Sequence, residues 1–194
     1  MGELHMKKKL CIVLLVLLIA LAGVCPAFAD VRASQIASGF QTYLMLFGKQ
    51  SNRLEKGQIH FSAMDFDTEA VQVDHVTPEG VQIPIIYHFF NYGTGDTAFH
   101  FAVVKAAIPE SLINLSDNNV ISLLFYDDTL NEYSNLGRFY LVQNESGTFF
   151  LEMRYDLLLD PESSPEICSG VLSLLEKDID TAVENLKIIN SSGQ

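Results

Sequence analysis

Residues 148–159 read TFFLEMRYDLLL, and after a short break bearing acids and a proline, residues 164–186 read SPEICSGVLSLLEKDIDTAVENL. In the first stretch Phe149, Leu151, Met153, Tyr155, Leu157 and Leu159 face one way, and Glu152, Arg154 and Asp156 face the other. That period of two belongs to a strand with one wet face. In the second stretch Ile167, Val171, Leu174, Leu175, Ile179, Ala182, Val183 and Leu186 form one apolar stripe at helical spacing. Ser164 can cap its first amides, Pro165 suits the first helical position and Glu166 favours the helix dipole. A one-faced strand and a one-striped helix bury their apolar sides against each other, which sets the class as α+β.

Working outward, Arg138 to Gln143 reads as the partner strand, joined through Asn144-Glu145-Ser146-Gly147, with a break at Asn135 to Gly137. Before it, Ser116 or Asp117 can cap a helix to about Asn131, with Val120, Ile121, Leu124 and Phe125 on its inner face; Pro109 separates this helix from the preceding sheet. Val81 to Tyr92 and Thr97 to Ala107 are apolar strands connected through Gly93-Thr94-Gly95-Asp96, and Thr77-Pro78-Glu79-Gly80 is turn chemistry. Ile59, Phe61 and Ala63 alternate along another strand, which ends in an acidic turn at Asp65, Asp67 and Glu69; Val71 to Val76 continues it or forms one more strand. From Ser34 to Phe47, the residues Ile36, Ala37, Phe40, Tyr43, Leu44 and Phe47 mark a first helix that stops at Gly48, and Lys49 to Gly57 reads as a loop. Asn190 to Gln194 reads as a frayed tail. The expected order is α-β-β-β-α-β-β-α: an antiparallel sheet with helices packed on one side.

The N-terminus has a different character. Lys7 to Lys9, the apolar run Leu10 to Val24, and Ala27-Phe28-Ala29 before Asp30 are the three parts of a bacterial secretory signal. The expectation is a signal peptide over residues 1–29 and a single domain over 30–194, placed outside the cytoplasm (secreted, periplasmic or at the envelope) with no membrane insertion after cleavage. Removing Lys7, Lys8, Lys9 and Glu3 from 12 basic and 24 acidic side chains leaves 9 and 23, a net charge of −14. Such a balance repels phosphate backbones and argues against nucleic acid as a partner. Cys11 and Cys25 depart with the signal, so Cys168 stands alone, either buried and inert or bridging two chains.

The run Leu123-Leu124 to Asn131, then Leu136-Gly137-Arg138-Phe139, the Phe149 to Leu159 strand and the Ser-Pro-Glu start of the last helix resemble the YbjN family. That family shares its fold with type III secretion chaperones and is described as sensory-transduction-regulator-like. The resemblance implies a non-enzymatic domain that pairs with itself or with a protein partner, and it brings no catalytic residues. Two features depart from it: an export signal, where members are usually cytoplasmic, and Asp127 and Asp128, which make the end of the second helix acidic.

The mature chain has no Gly-x-Ser-x-Gly elbow, paired-cysteine site, His-Glu-x-x-His helix or Gly-rich phosphate loop. No catalytic, cofactor or metal-binding residue is therefore assigned. Asp65-Phe66-Asp67-Thr68-Glu69 opens like a calcium loop, but Ala70 and Val76 stand where an EF-hand needs glycine and glutamate, so it reads as a solvated acidic turn. His88 and His100 are equidistant from Thr94, and in that register their imidazoles share a sheet face, opposite Tyr87, Phe89, Phe99 and Phe101. Such a pair could share a zinc ion or sense pH, although exposed histidines on a strand are more often simply solvated. The four aromatics read as core rather than as a binding platform, and Arg138 as a group that caps the adjacent turn. The leading functional expectation is an exported, non-catalytic protein- or peptide-binding module. The alternatives are a small secreted hydrolase in which His60, His88 or His100 meets a carboxylate in a polar pocket, and a metal or pH sensor built on His88 and His100.

Overall fold

The apolar spacing after Arg32 forms helix α1 (Ala33–Leu46), started by Gln35 Oε1, which accepts the Arg32 N–H at 2.9 Å. Its buried face is Ile36, Ala37, Phe40 and Leu44; Phe47 lies past the helix end and is exposed. The computed structural model describes residues 32–93, 98–112, 120–144, 147, 149–160, 162 and 164–192, without the side chains of 110, 120–125, 149 and 189–192. The signal segment, the Thr94 turn and the Ser116 and Asp117 caps lie outside the described residues. Strands β1 (Ser51–Arg53), β2 (Gly57–Phe61), β3 (Met64–Val76), β4 (Gln82–Tyr92) and β5 (Phe99–Ala107) follow. After a 3-10 turn at Glu110–Leu112 come α2 (Val120–Tyr133), β6 (Arg138–Gln143), β7 (Phe149–Leu159) and α3 (Ser164–Ser192).

The fold is α+β: one antiparallel sheet in the order β1-β3-β4-β5-β7-β6, with β2 also on β3 and the helices on one side. Five strands precede α2, more than the three in the expected order. The acidic turn expected at Asp65 to Glu69 is strand, because the chain reverses earlier, at Ser62 and Ala63, with φ of 51° and 63°. A two-residue hairpin with both residues at positive φ usually advertises itself by Asn or Gly, and here neither is present. Ala63→Gly is expected to raise stability by about 0.5–1 kcal/mol in urea melts, since glycine adopts this φ without strain.

The loop expected over Lys49 to Gly57 contains β1, and β1 and β2 form one interrupted strand along β3. Arg53 pairs with Val71 and Gly57 with Thr68, so Leu54, Glu55 and Lys56 oppose only Glu69 and Ala70. This is a β-bulge. Glu69 holds it, accepting from Arg53 Nη2 at 2.6 Å and lying 3.0 Å from Lys56 Nζ.

Alternation assigns the two sheet faces. Val71, Val73, Ile83, Ile85, Tyr87, Phe89, Ala102, Val104, Leu151 and Met153 are buried beneath the helices. Phe40 of α1 packs on Tyr87 and Phe89 with ring centroids 4.7 and 5.8 Å apart. In α3 the buried row is Cys168, Leu172, Leu175, Ile179, Ala182, Val183 and Leu186, whereas Leu174 is 45% exposed. Two adjacent rows of this helix are apolar, and packing selects the one holding the small Cys168, whose carbonyl accepts the Tyr87 hydroxyl at 3.0 Å. Ser164 is the first helical residue and donates its hydroxyl back to the Asp160 carbonyl, rather than capping the amides as its sequence position suggests. The helix also runs through Asn190, where a frayed tail was expected.

The break between α2 and β6 is organised by a buried acid. Asp178, 1% exposed, accepts N–H bonds from Asn135 (2.9 Å from the main chain, 3.1 Å from the side chain), Leu136 (2.8 Å) and Gly137 (2.8 Å). Burial alone would raise its pKa; the Asn135, Gly137 and Leu136 amides outweigh it and hold the carboxyl below its ordinary 3.8. Asn131 of α2 pairs with both main-chain groups of Phe139, donating to its carbonyl and accepting from its N–H at 2.8 Å each.

Candidate functional site on the open face of the sheet

The sheet face away from the helices has an apolar end and a charged end. At the apolar end the β2–β3 hairpin folds over β4 and β5, so that Ile59, Phe90 and Val103 form a second core with Phe61, Phe66 and Phe101 packed around it. Phe90 is its centre, with ring centroids 4.9 Å from Phe66, 5.3 Å from Phe61 and 5.6 Å from Phe101. Beyond this core Tyr92, Phe99 and Leu158 are 43%, 57% and 59% exposed. They adjoin: Tyr92 pairs with Phe99, and Leu158 pairs with Phe101 two residues along the same strand.

At the charged end Tyr140 and Val142 of β6 and Glu152, Arg154 and Asp156 of β7 line a shallow groove of about 260 Å³. Arg154 meets Asp156 through two bonds, Nε to Oδ1 at 2.8 Å and Nη2 to Oδ2 at 3.2 Å. Lys105 Nζ lies 3.3 Å from Glu152 Oε1. Both carboxylates keep further lone pairs beyond these contacts, because an ionised carboxylate accepts about four bonds. The outward alternation of Glu152, Arg154 and Asp156 was readable in the sequence. The contributions of Tyr140 and Val142 depend on the β6–β7 register, which it does not state.

His88 and His100 are not brought together. The register places His88 opposite Val103 and His100 opposite Asn91, so the imidazoles leave opposite faces. The same shift divides the aromatic set, with Tyr87 and Phe89 under the helices and Phe99 and Phe101 on the open face. The symmetric turn about Thr94 fails because the connection from Tyr92 to Phe99 is longer than that reading assumed. His100 is 7% exposed, with Nδ1 2.9 Å from Asn91 Oδ1. His60 meets Asp65 at 3.0 Å on the exposed hairpin, outside the groove. Arg138 Nη1 donates to the Gly137 carbonyl at 3.2 Å, at the turn as expected. Cys168 is fully buried, and burial pushes its thiol up to about 12, which places it out of reach of a second chain in the folded state. Among the described residues no three His, Cys, Asp or Glu side chains form a cluster that could hold a metal ion, and no helix is long and apolar enough to cross a membrane.

His88 remains on the open face, half-buried, with a buried Nδ1 that has no partner among the described residues. Burial, then the charge of Lys105, lowers its pKa from 6.5 to about 4. Between those values the unfolded chain binds a proton that the native ring refuses. Stability is therefore full above pH 6.5 and falls toward pH 4, by about 2 kcal/mol after allowance for the ring's partial exposure. Urea midpoints between pH 7 and 5, where carboxylates contribute little, are expected to fall in the natural protein and to stay flatter in His88→Leu.

A second charged cluster joins α3 to the sheet, and the sequence did not single it out. Lys49 Nζ lies 2.5 Å from Glu176 Oε1, and His75 Nε2 lies 2.7 Å from Asp180 Oδ1. Glu176 and Asp180 are one helical turn apart, a spacing that does signal a shared face; their partners are 127 and 105 residues away in sequence. A scan against protein-family models finds no match for this chain, and a search of curated proteins finds no relative.

Proposed function

We propose that this chain is an exported, non-catalytic module that binds a protein or peptide partner, of the YbjN type that its C-terminal half resembles. The observation that carries the reading is the apolar end of the open face, where Tyr92, Phe99 and Leu158 adjoin in water on top of a packed aromatic core. Contiguous exposed apolar surface on a rigid support is the usual mark of an interaction site. The histidines that a hydrolase reading relied on lend it no support: His60 meets its acid on an exposed hairpin, His100 meets an amide, and the buried Nδ1 of His88 has no partner among the described residues. Export rests on the signal-like segment from Met6 to Ala29.

The test is capture from native envelope and culture fractions, with partners identified by mass spectrometry, comparing the natural protein with a Phe99→Ser, Leu158→Ser double variant. A specific partner retained by the first and lost by the second is expected. Capture that is indifferent to the substitutions would remove the open face from the proposal. Repeated failure of a well-folded protein to capture anything would return the hydrolase reading to the front.

A further inference from the structure

Leu44 is the last side chain of α1 that the core takes in. The next three, Met45, Leu46 and Phe47, are 71%, 78% and 66% exposed, the three most exposed large apolar side chains among the described residues. Successive helical residues turn by about 100°, so with Leu44 directed into the core these three take the remaining directions and surround the helix end. Gly48, at φ +72°, then turns the chain, and nothing lies within 4 Å of the place where a side chain on it would stand. The helix ends as a bare apolar tip projecting into water.

The tip is also neutral. No acid occurs from Val31 to Leu54, the longest acid-free run after Asp30. The nearest charge, Lys49, is spent on Glu176, whose two oxygens lie 2.5 and 2.6 Å from its Nζ. At the neck of the tip stands the half-buried Tyr43, its ring centroid 4.7 Å from that of Phe47.

A flat protein surface meets one side of such a helix end and leaves the other sides in water. Two copies meeting tip to tip do the same, and bring two strongly acidic chains together. A fluid interface closes around all three side chains at once, and tyrosine is a residue that settles at headgroup depth.

We infer that the end of α1 is a membrane-contact tip: Met45, Leu46 and Phe47 enter the interface of a zwitterionic phospholipid bilayer, with Tyr43 at the level of the headgroups. The contact is peripheral, since no described helix is long and apolar enough to cross. The tip lies with the helices, on the other side of the sheet from Tyr92, Phe99 and Leu158, so lipid contact and partner binding stand or fall separately.

The test is flotation of residues 30–194 with phosphatidylcholine vesicles. Every described element lies within that span, and leaving out residues 1–29 keeps the apolar signal segment from binding in the tip's place. The chain has no tryptophan, so Phe47→Trp puts a single fluorophore at the tip. Flotation is expected, with indole emission that shifts to the blue and is quenched by lipids brominated on their acyl chains. A Leu46→Ser, Phe47→Ser double variant is expected to lower partitioning at least about tenfold while its urea midpoint stays that of the natural protein. Phe99→Ser, Leu158→Ser should float as the natural protein does. Mixing anionic phosphatidylglycerol into the vesicles is expected to weaken binding at low salt, because the chain as a whole is acidic. No flotation, flotation indifferent to the Leu46 and Phe47 substitutions, an indole that stays in water, or preference for the anionic vesicles overturns the inference. If vesicles are ignored and the Leu46→Ser, Phe47→Ser variant instead loses a captured protein, the tip is a protein contact and the inference falls.

Discussion

Replacing Asp178 by alanine is expected to cost about 3–5 kcal/mol, measured by urea unfolding at pH 7. The carboxylate is the acceptor for three successive main-chain amides, Asn135, Leu136 and Gly137, and for the Asn135 side chain. Each buried donor left without a partner costs about 1–3 kcal/mol, and water entering the space recovers part of it. Asparagine keeps one acceptor oxygen but turns an amide toward donors, so Asp178→Asn is expected to cost less than alanine, about 2–3 kcal/mol. The pH dependence separates this from simple loss of packing. A carboxyl held below its ordinary 3.8 contributes stability that is complete above that value and is lost as pH falls through the lower folded-state pKa. The gap between the natural protein and Asp178→Asn should therefore be constant from pH 7 to about 5 and close only below about 3.8. A gap that stays the same into strong acid would show that the charge is not what holds the turn.

Replacing Phe90 by alanine is expected to cost about 3–5 kcal/mol, the usual range for emptying a buried aromatic site. Phe90 is 1% exposed and touches the rings of Phe61, Phe66 and Phe101. Its loss should also be uneven across the molecule. The β2–β3 hairpin reaches the open face through Ile59, Phe61 and Phe66, whereas the helices pack on the other face. Amides of Gly57 to Thr68 should exchange faster in Phe90→Ala than the global loss of stability explains, with those under α3 following the global change. Uniform acceleration would mean that the two cores open as one unit.

The legible parts of this fold were those with a clean period. Residues 138–143 form a strand with the bounds expected, the strand observed over 149–159 lies within the alternating stretch 148–159, and the last helix starts within one residue of its expected cap at Ser164. What escaped the sequence were features set by pairing over distance. The bulge at Leu54 to Lys56 interrupts a strand within a polar stretch that has the composition of a loop. The reversal at Ser62 and Ala63 uses residues with no turn signature. The histidine pairing depended on a register, and a shift in that register moved two aromatics and one imidazole, Phe99, Phe101 and His100, to the other face relative to β4. Asp178 was invisible for a similar reason, because a lone acid within an apolar stripe looks like an interruption until the turn that it caps is known. The groove was half visible: Glu152, Arg154 and Asp156 could be placed on a wet face, but their neighbours Tyr140 and Val142 needed the hairpin register.

Cys168 is the one thiol between Arg32 and Gln194, and it is wholly enclosed between α3 and the sheet, beside the carbonyl that Tyr87 grips. A reagent in solution reaches such a sulfur only when the helix lifts from the strands, so its modification keeps time for that opening. The protein thus carries its own stopwatch: at reagent concentrations where labelling outpaces reclosing, the labelling half-life in native buffer reads how often α3 departs, with no probe introduced into the chain.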